Sequence, residues 1–475
     1  MALFLITGFV LTNVLYGLIL IHHITLTERL VILQMDIYKV RKFTHPVHID
    51  VEVPGSKSIT NRALLLAAMG SGETLLKGVQ FSEDSYVFLK ALEGLGFKTE
   101  MDKAARTVKI KGMGGDIPAK EASIDVRSAG TAARFLTAFT AMGRGVYTIN
   151  SSGQMKKRPV RELLEVLEDL GAKFEWLGGE YNFPMRVTGI RNPGNSNSCN
   201  SNMQDLMPER SVRLNIDRSS QFLSALLMTA PALFNSLTIE LTGKRDARSY
   251  VMITEQMMKQ FGHKGVERPG ADCYRVCQGS YNIQEYQIEP DVSAACYFYA
   301  IAAVTGGTAV VKHIRKDSLQ GDMKFINVLE EMGCHTEWGR DGELKLYAPD
   351  DRLKGTDVNM ADFSDQALTL AAIAPFADSP VTIRGVSHIR GQESDRIKVI
   401  VNETRRMGIK CDEHEDGVVI YPGFPKPAVI QTYNDHRAAM AFTVTGMAAE
   451  GIEIENPLCC SKTFAGYFDV IESLY

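Results

Sequence analysis

Six times along its 475 residues the chain repeats one phrase: a polar cluster, a helix-length run rich in Ala, Leu, Met and Phe, a break, and a short β-prone stretch ending near Gly or Asn. In order the copies read "SKSITNRALLLAAMGSGETLLKGV", "RSAGTAARFLTAFTAMGRGVYTIN", "DRSSQFLSALLMTAPALFNSLTIELTG", "PDVSAACYFYAIAAVTGGTAVVKHI", "DFSDQALTLAAIAPFADSPVTIRGV" and "NDHRAAMAFTVTGMAAEGIEIENP". A second phrase falls between them: "LEGLGFKTE", "LEDLGAKFEW", "MMKQFGHKG", "LEEMGCHTEW" and "TRRMGIKCDE". Here an amphipathic helix closes at Gly96, Gly171, Gly262, Gly333 and Gly408, where a left-handed cap suits glycine, and a strand follows. The units lie roughly 70 to 90 residues apart, too long for a solenoid repeat and right for a small α/β subdomain. Six such units are expected to group as three and three.

The first type of helix is apolar around most of its circumference, which implies burial on all sides; the second keeps a charged face for solvent. Buried helices have buried ends, and the first turn of a helix carries unpaired N–H groups and a partial positive charge. Lys57 and Arg62 at such a start are unfavourable for the helix alone and make sense when an anion sits among them. A capped helix with two solvated basic side chains is the alternative for that one motif. Yet Lys57, Arg62, Arg134, Asp365, His436 and Arg437 stand at corresponding positions of the repeats. Two sets of three helices aiming their N-termini at each other would enclose an anion-attracting cleft.

A formal charge of −4 argues against bulk electrostatic binding to nucleic acid or anionic membrane, so any basic site must be local. The eight cysteines form no C-x-x-C pair and no metal-like spacing with histidine, and read as free thiols of a reducing, cytoplasmic setting. Ala2 to Ile21 carries no charge and is about the length that spans a bilayer. Residues 1–34 are read as an N-terminal extension outside the fold, a membrane anchor being the other reading. The Asn/Ser-rich stretch 192–211 reads as an exposed loop without chemistry.

The motifs "PGSKSITNR", "AGTAARF", "KKRPV", "RSSQFLSALLM", "GQESDR", "YNDHRAAM" and "CSKTFAGYF", in this order between Met35 and Tyr475, resemble those of the enolpyruvylshikimate phosphate synthases, the 3-phosphoshikimate 1-carboxyvinyltransferases. The resemblance implies an α/β protein with the two-domain enolpyruvyl transferase fold: three βαβαββ repeats per domain, six in all, around a central cleft. Residues 56–289 would form one domain, and residues 35–55 with 290–475 the other. It also implies transfer of the carboxyvinyl group of phosphoenolpyruvate to the 5-hydroxyl of shikimate 3-phosphate, with release of phosphate, in aromatic amino-acid biosynthesis. No metal or other cofactor is implied, since Lys and Arg can neutralise both anionic substrates. Glyphosate competes for the phosphoenolpyruvate pocket in this family. A monomer is expected.

Carried onto matching positions, the resemblance gives phosphoenolpyruvate the residues Lys57, Gly130, Arg158, Gln221, Arg396, Arg437 and Lys462. Shikimate 3-phosphate would meet Lys57, Ser58, Arg62, Ser219, Ser220, Gln221, Tyr250, Asp365 and Gln392. Addition needs a proton on the methylene carbon while another leaves the attacking hydroxyl, and elimination reverses that traffic. Asp365 is the candidate to accept the hydroxyl proton. Glu393 is the candidate at the methyl carbon, with Lys57 or Lys462 sharing the acid role. His436 is taken as a positioning group, direct contact with substrate being left open. Pro159 would hold Arg158 at an extended-to-helix junction, and a methyl at Gly130 would crowd the phosphoenolpyruvate pocket.

Ser128, His388, Gln392 and Ala247 depart from the commonest family pattern, and all but Ala247 can still hydrogen-bond. Two alternatives stand beside this reading. A UDP-N-acetylglucosamine enolpyruvyl transferase would carry Asn after the active-site Lys, where this chain has Ser58, and a reactive loop Cys. A non-catalytic anion-binding protein would not need the paired carboxylates Asp365 and Glu393.

Overall fold

The computed structural model describes residues 37–194, 206–243, 249–339 and 343–475. The readings of residues 1–34, of most of the 192–211 loop, of Cys199 and of Ala247 lie outside the described residues. Within them the repeat is literal. Strand Glu121–Asp125 runs parallel to Val146–Asn150, which is antiparallel to Met185–Thr188, itself antiparallel to Lys173–Trp176. With helices Gly130–Ala141 and Arg161–Asp169 between them, this is βαβαββ. The same pattern starts at Arg210–Asn215 and at Asp357–Asn359.

Two units exchange their first strands. His48–Val51 pairs with the distant Thr308–Val311, and Glu285–Gln287 with Ser71–Lys77. The last unit, Ala428–Ile430 beside Ile452–Glu455, is completed by Ile37–Lys39. The exchange obliges the chain to cross twice between two bodies. At the crossing Ser56 N donates to Glu289 O (2.7 Å) and Asp291 N to Pro54 O (2.8 Å), so the two passing segments brace each other.

Six helices fill the two bodies: α1 (Lys57–Met69), α2 (Gly130–Ala141), α3 (Gln221–Thr229), α4 (Val292–Thr305), α5 (Ala367–Ile373) and α6 (His436–Ala448). Every residue of α2 is buried, as is α1 from Ile59 onward. Leu64, Leu65 and Leu66 are all wholly covered, which a half-exposed helix cannot achieve. Each such leucine contributes roughly 1.5 to 3 kcal/mol of burial. The buried apolar residues form two clusters, one drawn from residues 59–288, the other from 38–53 and 292–471. In the first, α2 packs against α1 and α3; in the second, α6 packs against α4 and α5.

The outer helices end as the glycine phrase requires. Gly96, Gly171, Gly262, Gly333 and Gly408 have φ of 91°, 109°, 95°, 104° and 73°, a region costly for any residue with a Cβ. Strands Lys98–Asp102, Lys173–Trp176, Val266–Gly270, His335–Trp338 and Cys411–His414 follow them. Among the described residues no helix is long and apolar enough to cross a membrane.

Candidate active site

All six buried helices begin at one cleft. Lys57 and Ser58 of α1, Gly130 and Thr131 of α2, Gln221 of α3, Ser364 and Asp365 ahead of α5, and His436 and Arg437 of α6 line a cavity of about 920 Å³, part of it open to solvent. The start of α4 lines a second chamber of about 570 Å³ through Asp291 and Ser293, and the two chambers share Lys57, Ser58, Tyr250, His436 and Arg437. The capped-helix reading of Lys57 to Arg62 fails: Ser56 makes no side-chain cap, nor do Ala129 or Ser220 ahead of α2 and α3. Those helix ends retain N–H groups suited to an anion.

Of the residues singled out from the sequence, Lys57, Ser58, Arg62, Gly130, Arg158, Ser219, Ser220, Gln221, Tyr250, Asp365, Gln392, Glu393, Arg396 and Arg437 all line the larger chamber. Lys462 lines a neighbouring pocket with Ser128 and reaches the site through its ammonium, 3.4 Å from Glu393 Oε1. Outer helices contribute as well. Tyr250 and Arg396 sit in the first turns of Ser249–Gln260 and Arg396–Arg406. Asp84, near the start of Glu83–Gly94, places a carboxylate oxygen 3.6 Å from Lys57 Nζ.

The two carboxylates are surrounded by cations. Arg396 Nη1 donates to Asp365 Oδ1 (2.9 Å), while Arg437 Nη2 (2.7 Å) and the Tyr250 hydroxyl (2.6 Å) donate to Oδ2. Burial opposes ionisation of Asp365, but Arg437 and Arg396, with the Tyr250 hydrogen bond, outweigh it and hold the carboxyl below the usual range. Glu393 accepts from Arg396 Nη2 (2.9 Å) and lies 3.6 Å from Arg158 Nη1. Burial works against its charge too, and Arg158, Lys462 and Arg396 together hold it well down. His436 is buried, and burial, then Lys57 and Arg437, keep its ring neutral. Neither ring nitrogen has a hydrogen-bond partner among the described residues.

Two arginines of the repeated clusters turn inward. Arg62 donates to Thr254 Oγ1 (2.8 Å) and to the Ser58 (2.9 Å) and Tyr250 (3.1 Å) carbonyls, and burial brings it down to about 10. Arg134 holds the Gly130 carbonyl (3.1 Å) and the Pro159 carbonyl, so it braces the segment carrying Arg158. Of the departures from pattern, Gln392 faces Arg158 (3.5 Å), His388 Nε2 lies 2.7 Å from Ser364 Oγ, and Ser128 Oγ 2.6 Å from Ser152 Oγ.

Sequence reasoning missed Asp84, Thr131, Arg218 and Ser364 in the larger chamber, and Asp291, Ser293, Gln320 and Asp322 in the smaller. Arg218 and Ser293 had a usable signal, since both sit in the polar clusters opening α3 and α4. Asp84 and Asp322 had none, because they enter from outer segments.

Fold and cleft together define a two-lobed α/β protein built to gather small anions between opposed helix ends. The chain belongs to the EPSP synthase (3-phosphoshikimate 1-carboxyvinyltransferase) family, whose pattern matches residues 42–471. It is similar to the 3-phosphoshikimate 1-carboxyvinyltransferase of Trichormus variabilis, 43% identical over 434 residues covering 91% of this chain and 98% of that one. The chloroplastic 3-phosphoshikimate 1-carboxyvinyltransferase of Brassica napus is 37% identical over 446 residues, covering 89% of this chain and 82% of that one. A solved EPSP synthase from Acinetobacter baumannii shares the fold with a TM-score of 0.74 at 22% identity, over 92% of this chain and 98% of that one.

Proposed function

We propose that the protein transfers the carboxyvinyl group of phosphoenolpyruvate to the 5-hydroxyl of shikimate 3-phosphate and releases phosphate, a step toward aromatic amino acids. One observation carries this reading: Arg158, Arg396, Arg437 and Lys462 converge on two carboxylates, Asp365 and Glu393, with Lys57 lining the same chamber, between opposed helix N-termini. Those cations suit the carboxylate and phosphate of phosphoenolpyruvate, with Gly130 and Gln221 beside them. Ser58, Arg62, Ser219, Ser220, Tyr250 and Gln392 are assigned to shikimate 3-phosphate.

Asp365 takes the proton of the attacking hydroxyl as the carbon–oxygen bond forms. Glu393, with Lys57 or Lys462, serves the methylene carbon, which gains a proton on addition and returns it when the bond to phosphate breaks. Arginine suits these positions because its fork binds carboxylate or phosphate through two hydrogen bonds. The domain boundaries 56–289 and 35–55 with 290–475 belong to the same proposal, supported by the two apolar clusters and the strand exchange. A cytoplasmic monomer completes it, in keeping with the free cysteines at Cys273, Cys277, Cys296, Cys334, Cys411, Cys459 and Cys460.

The test incubates the full chain with phosphoenolpyruvate and either shikimate 3-phosphate or UDP-N-acetylglucosamine and follows phosphate. Release with the first acceptor is expected. Release only with the second means a different acceptor, and silence with both from a folded protein leaves an anion-binding protein.

A further inference from the structure

Asp322 lies behind Arg437, on the short turn Gly321–Met323, and lines the smaller chamber. Its side chain is buried and nothing in the scheme above uses it. Its Oδ2 accepts from the Ser293 hydroxyl and from Gln366 Nε2 (3.2 Å). Ser293 Oγ in turn accepts from Arg437 Nη2 (3.4 Å), the nitrogen that also holds Asp365, and Gln366 is the residue after Asp365. Asp322 therefore grips both halves of the Arg437–Asp365 pair, each through one intermediary.

We propose that Asp322 is a positioning residue of the transfer reaction: through Ser293 and Gln366 it fixes Arg437 against Asp365, and its negative charge keeps Asp365 able to take the substrate's proton. This rests on the role given to Asp365 above. Asp365 alone is poorly placed for that task, since two guanidiniums and a hydroxyl favour its ionised form. Glu393 opposes them, and Asp322 adds to that opposition, because neighbouring like charges resist each other's ionisation. No bond to substrate is assigned to Asp322; the proton passes from the substrate hydroxyl to Asp365.

The charged and titratable groups facing Asp322 are Asp365 on the turn before α5, Arg437 and His436 on α6, Asp291 at the cap of α4 with Cys296 and Tyr297 on that helix, and Lys57, Tyr250 and Asp362 around the chamber. Burial, then Asp365, push its carboxyl up to about 6, against the opposing pull of Arg437, Ser293 and Gln366. Protonation of Asp322 on acidification then weakens turnover.

The experiment compares wild type, Asp322→Asn and Ser293→Ala, all as the full chain, measuring kcat, both KM values and the pH profile. Substrate phosphates titrate equally in every case, so differences between profiles belong to the protein. For Asp322→Asn, kcat falls at least about tenfold with KM values held within roughly threefold, and the acidic limb flattens. Ser293→Ala removes a donor that favours the ionised carboxylate, so its acidic limb moves to higher pH; this variant carries the test if Asp322→Asn does not fold. Wild-type kcat and profile in a folded Asp322→Asn, or a lowered kcat with an unmoved acidic limb in both variants, overturns the inference. A wild-type chain that releases no phosphate fails the functional reading instead.

Discussion

Arg396 Nε stands 2.8 Å from Asp435 Oδ2, and both side chains are almost wholly buried. The same guanidinium serves Asp365 and Glu393 with its other nitrogens, so one arginine organises three carboxylates. Lysine keeps the charge but loses the planar fork, and can satisfy only part of this set. Arg396→Lys is expected to cost about 3 kcal/mol or more, the range for breaking a buried ion pair, and to lower turnover at least a hundredfold. Urea unfolding beside the phosphate assay checks both, and a stable, active lysine variant contradicts the arrangement.

Without substrate, the cations assigned to phosphoenolpyruvate are engaged with Glu393: Lys462 at 3.4 Å, Arg158 at 3.6 Å and Arg396 at 2.9 Å. When the ligand's carboxylate and phosphate take those cations over, Glu393 loses the partners that hold it ionised, and its proton affinity rises. Binding should therefore be accompanied by proton uptake that grows as the pH is lowered toward neutrality and below. Calorimetry in two buffers of different ionisation enthalpy measures this, with unreactive 5-deoxyshikimate 3-phosphate filling the acceptor site. Glu393→Gln should remove at least half of the uptake; equal uptake in that variant, or none in wild type, refutes the exchange.

A Cβ built on Gly130 would lie 2.5 Å from Arg158 Nη1 and 2.9 Å from its central carbon. The obstacle is the end of a flexible side chain, so Gly130→Ala displaces the guanidinium while sparing the fold. Alanine also favours the helix by up to about 1 kcal/mol. The KM for phosphoenolpyruvate should rise about tenfold, near 1.4 kcal/mol, with Tm held or raised. An unchanged KM removes Arg158 from the pocket.

The architecture was legible because it repeats. Gly96 and its four counterparts mark the same left-handed stop after the same kind of helix, and leucines such as Leu64 to Leu66 announce burial on every side. The strand exchange between His48–Val51 and Glu285–Gln287 was legible only through the family resemblance, whose bounds join residues 35–55 to 290–475; a lone strand by itself carries no mark of the sheet it joins. Helix starts revealed Lys57 and Arg437. They also pointed to Arg62 and Arg134, which line the larger chamber while their long side chains fold back onto nearby carbonyls. Asp84 and Asp322 were invisible because only tertiary packing brings outer segments to the cleft.

The burial that pushes Asp322 up to about 6 from an ordinary 3.8 also makes a stability prediction. A carboxyl whose pKa is higher in the folded protein than in the unfolded chain stabilises the fold fully only below the unfolded value. That contribution is lost as pH rises through the folded one. The shift of roughly two units corresponds to about 3 kcal/mol, so above pH 7 the ionised side chain costs the ligand-free fold on that order. An asparagine in its place keeps an oxygen for Ser293 and Gln366 without the charge. Asp322→Asn should thus stabilise the protein by about 2 kcal/mol near pH 8, and the gain should shrink toward pH 5 as the wild-type carboxyl takes up its proton. Urea unfolding at the two pH values reads the difference directly. A variant less stable than wild type at pH 8 means that the two hydrogen bonds outweigh the cost of the buried charge.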